Sequence, residues 1–168
     1  MKLPFNHEKV LERESAIEQV ASWKGKKERI VFTNGCFDLL HPGHIDLLTK
    51  AKGLGDRLVI GLNSDHSIKR LEKGSDRPII AEGDRALLIA SLEMVDLVVG
   101  FDEGTPHELI KILDPHVLAK GEDYEESAIV GKDHVEGSGG RVVRLPLLKG
   151  YSTSALIERV RDPRQGNG

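Results

Sequence analysis

"FTNGCFDLLHPGH", residues 32–44, carries an apolar segment into an Asn-Gly turn and closes on two histidines flanking Pro-Gly. The residues leading into it, "ERIVFT" (28–33), read as a short β-branched strand, and "GHIDLLTKAKGLG" (43–55) reads as a helix ended by Gly53 or Gly55. Outward from this unit the alternation repeats. "DRLVIGLN" (56–63) is a second strand, "AEGDRALLIASLEMV" (81–95) contains a second core helix, and "VDLVVGF" (95–101) is a third strand. "TPHELIKIL" (105–113) predicts a helix, with Thr105, Pro106 and Glu108 forming a capping box, and "PHVLAKG" (115–121) a fourth strand. A polar segment with a short helix leads through "GSGG" (137–140) to a fifth strand, "RVVRLPL" (141–147), and a last helix, "STSALIERVR" (152–161).

Strands rich in Val, Ile and Leu, without strict polar alternation, are buried on both faces. With intervening helices they predict an α/β fold: a doubly wound, Rossmann-like, parallel five-stranded sheet with helices on both faces. Residues 8–23 have Val10, Ile17, Val20 and Ala21 at helical spacing, so residues 1–27 are expected to hold an amphipathic lead-in helix. The main domain then covers residues 28–161, and "DPRQGNG" (162–168) reads as a flexible tail.

Composition narrows the function. Hydrophobic residues make up 39% and charged residues 30% of 168, an ordinary globular balance large enough for one domain. Lys and Arg number 24 against 27 Asp and Glu, a net charge of −3, so no bulk positive field points to nucleic acid. The single cysteine, Cys36, excludes an internal disulfide framework and suits a reducing compartment. The N-terminus lacks an apolar core of signal-peptide length, and no stretch is long enough to span a membrane. The expectation is a cytoplasmic domain acting on small molecules, without nucleic-acid or membrane partners.

Ligands of such sheets sit at the carboxyl ends of the strands. If Pro42 is the first helical residue, His41 caps the helix and His44 lies in its first turn, on the same face. Both imidazoles then stand beside free backbone N–H groups at the positive end of the helix dipole, where phosphate is the natural occupant. Gly35 and Gly43 would let a phosphate chain approach closely. A metal site built from His41, His44, Asp38 and Cys36 is the weaker alternative, because helical zinc pairs usually take i, i+4 spacing and no second Cys/His cluster exists. Plain packing of two histidines at a helix start is the bland alternative. Two glycine patterns, "GLGDRL" (53–58) and "GSGGRV" (137–142), precede strands and lack the third glycine of a dinucleotide fingerprint, and there is no P-loop.

"GCFDLLHPGH" resembles the HxGH motif of the nucleotidyltransferase superfamily. Over roughly residues 28–161, "GLNSDHSIKRL", "RPI", "VDLVVGFDEGTPHELI", "VLAKGEDY" and "GYSTSALIERV" follow in the order of the adenylyltransferase domain of bacterial heptose biosynthesis. The resemblance implies a stand-alone adenylyltransferase joining ATP and D-glycero-β-D-manno-heptose 1-phosphate into ADP-heptose and pyrophosphate, for lipopolysaccharide core or other surface glycans. It implies in-line attack without a protein nucleophile, with Mg²⁺ bound alongside ATP rather than at a dedicated protein metal site, and a homo-oligomer. Catalytic roles fall on His41, His44, Arg77 and Lys120. Thr33, Asn34, Gly35, Cys36, Phe37, Gly43, Arg85, Gly121, Asp123, Tyr151, Ser152, Thr153 and Ser154 are the further nucleotide-binding candidates. Asp38, Asn63, Asp65, Lys69, Arg77 and Tyr124 are the acceptor candidates, with Asp38 better suited to orienting the loop or its neighbours than to acting as a base. Leu147 stands where several cytidylyltransferases carry arginine, which weakens a reading as a CTP enzyme for glycerol 3-phosphate or phosphoethanolamine. A non-catalytic nucleotide-binding module is the alternative from another class.

Overall fold

The structure is a computed structural model and describes residues 7–71 and 77–161. The expected flexible tail, 162–168, lies outside the described residues. Six strands form one sheet: β1 (Val10–Leu11), β2 (Ile30–Gly35), β3 (Arg57–Asn63), β4 (Leu97–Phe101), β5 (Val117–Gly121) and β6 (Arg141–Leu145). Their order is β1-β4-β3-β2-β5-β6, with every pairing parallel. From β2 the chain steps outward through β3 to β4, then crosses back to place β5 and β6 on the other side of β2. The switch point of the sheet is therefore at β2, the strand that runs into the two histidines.

Among the described residues seven α-helices flank the sheet: α1 (Arg13–Gly25), α2 (Pro42–Lys52), α3 (Asp65–Arg70), α4 (Glu82–Ala90), α5 (His107–Leu113), α6 (Lys132–Gly137) and α7 (Thr153–Arg161). Alternate strand residues feed two cores. Ile30, Phe32, Val59, Val99 and Leu118 pack with α1, α5 and α6 through Ala16, Val20, Trp23, Leu109, Leu113 and Val135. Val31, Leu58, Ile60, Leu62 and Val98 pack on the other face with Leu48 and Ala51 of α2 and Ala86 and Ile89 of α4. Burial on both faces explains why the strands lack polar alternation.

Two local expectations are corrected. The sixth strand lies in the stretch read as the start of the lead-in helix: Val10 and Leu11 pair with Val98 and Val99, and Val98 donates its N–H to the Lys9 carbonyl at 2.7 Å. The outer edge of β4 carries backbone groups that need partners, and this short segment supplies them. The helix starts only at Arg13, and its core face is Ala16, Val20 and Trp23, with Ala21 exposed. The capping box at Thr105 does not form. Pro106 holds the N-cap position of α5, and no side chain caps that helix.

Candidate active site

The loop from β2 to α2 is wound tightly. Phe37 and Leu39 both adopt left-handed backbone, at φ 47° and 53°, which costs a non-glycine residue on the order of 1–3 kcal/mol each. Asp38, between them, holds the loop in place. Its buried carboxylate accepts N–H groups from Ile79 and Ile80, both at 2.9 Å, and the Arg77 Nε–H at 2.6 Å. Burial pushes the carboxyl upward, but the Ile79 and Ile80 amides and the Arg77 guanidinium outweigh it and hold the group below its usual range. The Asp38 carbonyl in turn accepts from the Thr153 hydroxyl at 2.9 Å, tying the start of α7 to the same loop.

On this support His41 is the N-cap of α2 and Pro42 its first residue, as the spacing predicts, and no side chain caps the helix. The two imidazoles stack, with centroids 3.8 Å apart and planes 18° from parallel. Phe37 lies against His44 at 5.4 Å and Tyr151 beyond His41 at 6.4 Å. A Cβ on Gly43 would sit 3.0 Å from the His41 ring and 3.1 Å from the Tyr151 Cβ, so the glycine lets the ring fold closely over the helix start. The Nδ1 atoms of both histidines are buried without a hydrogen-bond partner among the described residues. Desolvation lowers both imidazole pKa values; for His44, with repulsion from His41 and Arg77 added, the value falls to about 4. The pair is thus neutral near pH 7, with unsatisfied nitrogens at the positive end of a helix. An arriving polyphosphate can supply both hydrogen-bond partners and the negative charge that favours protonation.

The exit of β5 meets that of β2 through Lys120, which is 6% exposed, donates to the Asn34 side-chain oxygen and lies 5.3 Å over the Tyr124 ring. At Gly121 a Cβ would meet the Asp123 carboxylate and Leu147 within 2.9 Å, so the backbone turns closely there. Ser152 caps α7, its hydroxyl accepting the Ala155 N–H at 3.1 Å, and Ser154 is exposed beside it. His41, His44, Asn34, Lys120, Tyr151 and the start of α7 therefore gather around the switch point.

Other candidates are placed differently. Arg85 is completely buried and cannot act as a phosphate clamp: it donates to the Ile80 carbonyl at 2.9 Å, the Cys36 carbonyl at 2.6 Å and Asp65 at 2.6 Å. Its work is to pin three loops together. Asp38 is likewise closed to an acceptor. Arg77, with its side chain 10% exposed, is paired to Asp38 instead of standing free. Thr33 and Cys36 are buried in the strand exit, and Asn63 is buried with its amide donating to Ser67 at 3.2 Å. Asp65 is spent on Arg85, and Lys69 is exposed on α3 and absent from the contacts that build the loop. Sequence reasoning passed over a cavity of about 1090 Å³ at the carboxyl ends of β1, β3 and β4, lined in part by Glu82, Gly100 and Asp102. Gly100, inside the otherwise apolar strand "LVVGF", was its one visible signal.

A parallel sheet whose switch-point strand delivers stacked histidines to a helix start defines a nucleotide-handling α/β domain. The Cytidylyltransferase-like family model matches residues 32–159, and the chain belongs to that family. Among relatives, the Bifunctional protein HldE of Koribacter versatilis is 51% identical over 157 residues, 94% of this chain and 32% of that protein. The Bifunctional protein HldE of Bradyrhizobium diazoefficiens is 52% identical over 152 residues, 90% of this chain and 31% of its own length. The chain thus spans about a third of the length of these relatives. A crystal structure of the lipopolysaccharide core biosynthesis protein from Thermoplasma volcanium GSS1 superposes with a TM-score of 0.61 at 29% identity, covering 74% of this chain and 99% of that one. Among the described residues no helix is long and apolar enough to cross a membrane.

Proposed function

We propose that the chain transfers AMP from ATP to D-glycero-β-D-manno-heptose 1-phosphate, releasing pyrophosphate and forming ADP-heptose for lipopolysaccharide core or another surface glycan. The observation that carries the chemistry is the stacked His41–His44 pair, whose buried nitrogens lack partners at a helix start. The choice of acceptor rests on the HldE relatives and on the lipopolysaccharide core biosynthesis protein as structural neighbour. We place the enzyme in the cytoplasm, as a homo-oligomer.

In this reading an acceptor phosphate oxygen attacks the α-phosphorus of ATP in line. The bond from that phosphorus to the β-bridging oxygen breaks, and the electron pair leaves with pyrophosphate. His41 and His44 donate hydrogen bonds to the phosphoryl oxygens as charge develops, and Lys120 adds a fixed positive charge. The start of α7, with Tyr151 to Ser154, faces the leaving pyrophosphate or the adenine, and Asn34, Gly35, Phe37, Gly121 and Asp123 border the nucleotide. Arg77 serves through Asp38, by holding the loop. In this reading Mg²⁺ would enter as part of the nucleotide substrate. It would supply positive charge against the phosphates.

The name of the family raises CTP as a second nucleotide, for which glycerol 3-phosphate and phosphoethanolamine are the acceptors to test. Pyrophosphate release separates the readings when ATP and CTP are each paired with both heptose 1-phosphate anomers, glycerol 3-phosphate and phosphoethanolamine. Turnover with ATP and the β-anomer is expected, and His44→Ala should reduce it about 100- to 1000-fold. Turnover confined to CTP would replace the substrate, and silence with every pair would leave a binding module.

A further inference from the structure

The cavity at the carboxyl ends of β1, β3 and β4 lies outside the histidine site, yet sheet register connects the two. Gly35, at the start of the histidine loop, is level with Leu62 of β3, and Leu62 is level with Gly100 of β4. Gly100 is thus two strand spacings, about 10 Å, from the loop along one row of the sheet. It is exposed between buried Val99 and Phe101 and forms part of the cavity lining. A Cβ there would come within 3.0 Å of Glu82 Oε1, so the missing side chain keeps space open in front of that carboxyl. Around the rim Arg13 pairs with Glu103 at 2.7 Å and Asp102 takes Ser64, His66 and Arg70, while Glu12 and Glu82 add further carboxylates to the lining. A rim with more carboxylates than cations repels a second anion, whereas carboxylate and hydroxyl oxygens suit the hydroxyl groups of a neutral polyol.

We propose that this cavity receives the hydroxyl-bearing end of the acceptor, with Gly100 as its open floor and Glu82 as the residue that selects it by hydrogen bonding. The inference rests on the sugar-phosphate reading above: an acceptor phosphate beside the histidine loop would leave the sugar to extend toward Gly100, about 10 Å from Gly35 along the sheet. Neither Glu82 nor Gly100 belongs to the histidine loop, so changing them alters acceptor selection and leaves nucleotide binding alone.

The test measures steady-state pyrophosphate release by wild type, Glu82→Gln and Gly100→Ala, varying ATP and heptose 1-phosphate separately, with thermal melts to verify folding. Each substitution should raise KM for the sugar phosphate on the order of 10-fold or more, with KM for ATP changed less than about twofold. Glycerol 3-phosphate, too short to reach the cavity, should be a poor acceptor and indifferent to both changes. Wild-type turnover with an unchanged sugar-phosphate KM in both folded variants overturns the cavity assignment alone. An equal rise in KM for ATP assigns the residues to the nucleotide and overturns it too. Wild type without sugar-phosphate turnover removes the acceptor reading and this inference with it.

Discussion

At His44 two physical demands oppose each other. Burial against Phe37 and His41 lowers its pKa to about 4, yet the proposed chemistry asks it to face a triphosphate. The conflict resolves if binding itself supplies the missing partner and charge. The imidazole of His44 should therefore titrate well below 6.5 in the free protein and move upward when ATP is added, a shift readable by NMR of the histidine ring protons. A value unchanged by saturating ATP would remove the phosphate from contact with this ring. The pair itself was legible in the sequence, because strand, His, Pro, Gly and His occur in the order a switch-point anion site requires, although Asn34 and Gly35, expected as a turn, are the last residues of β2. The stacking was not legible. It depends on the Gly43 clearance and on two left-handed residues, Phe37 and Leu39, that propensity assigns to other residue types.

At the scale of elements, Arg85 shows why charge in a sequence misleads. Sequence alone puts a guanidinium beside a phosphate site, whereas the structure buries it in α4 and spends its three nitrogens on the Cys36 and Ile80 carbonyls and Asp65. Nothing in local periodicity reports such long-range partners. Arg85→Leu should leave those acceptors unpaired and destabilise the protein by on the order of 3–5 kcal/mol. Arg85→Lys, which keeps the charge without the fork, should recover only part of that loss. Urea unfolding of both variants checks this, and a midpoint within error of wild type for Arg85→Leu would refute the pinning role. β1 was hidden for a related reason. A two-residue strand has no period of its own, and it exists because the edge of β4 needs partners, so only the assembled sheet reveals it.

Over the whole molecule, the groups that build the site also set its response to acid, and their signs separate by pH. His44 is lowered from 6.5 to about 4, so below pH 6.5 the unfolded chain binds more protons than the native one. Native stability falls across that window, by about 2 kcal/mol between about pH 8 and about pH 5 from this residue alone. His41 and His116, both lowered by desolvation, act in the same direction. Glu82, raised by burial, opposes them, since the native state takes its proton first. Asp38 enters later: its pKa is held below 3.8, so its contribution is present above that value and disappears as the pH drops further. Because the Asp38 carboxylate joins the histidine loop to Arg77 and to the amides of Ile79 and Ile80, its protonation weakens these three contacts together. His44→Asn should therefore flatten the stability loss between about pH 6.5 and about pH 4 while leaving the steep loss at lower pH intact. Asp38→Asn should do the reverse, lowering stability at neutral pH and blunting the fall below about pH 4. Urea unfolding across this range reads both slopes. If His44→Asn and wild type lose stability in parallel between about pH 6.5 and about pH 4, the buried neutral imidazole is not what the native state protects from acid.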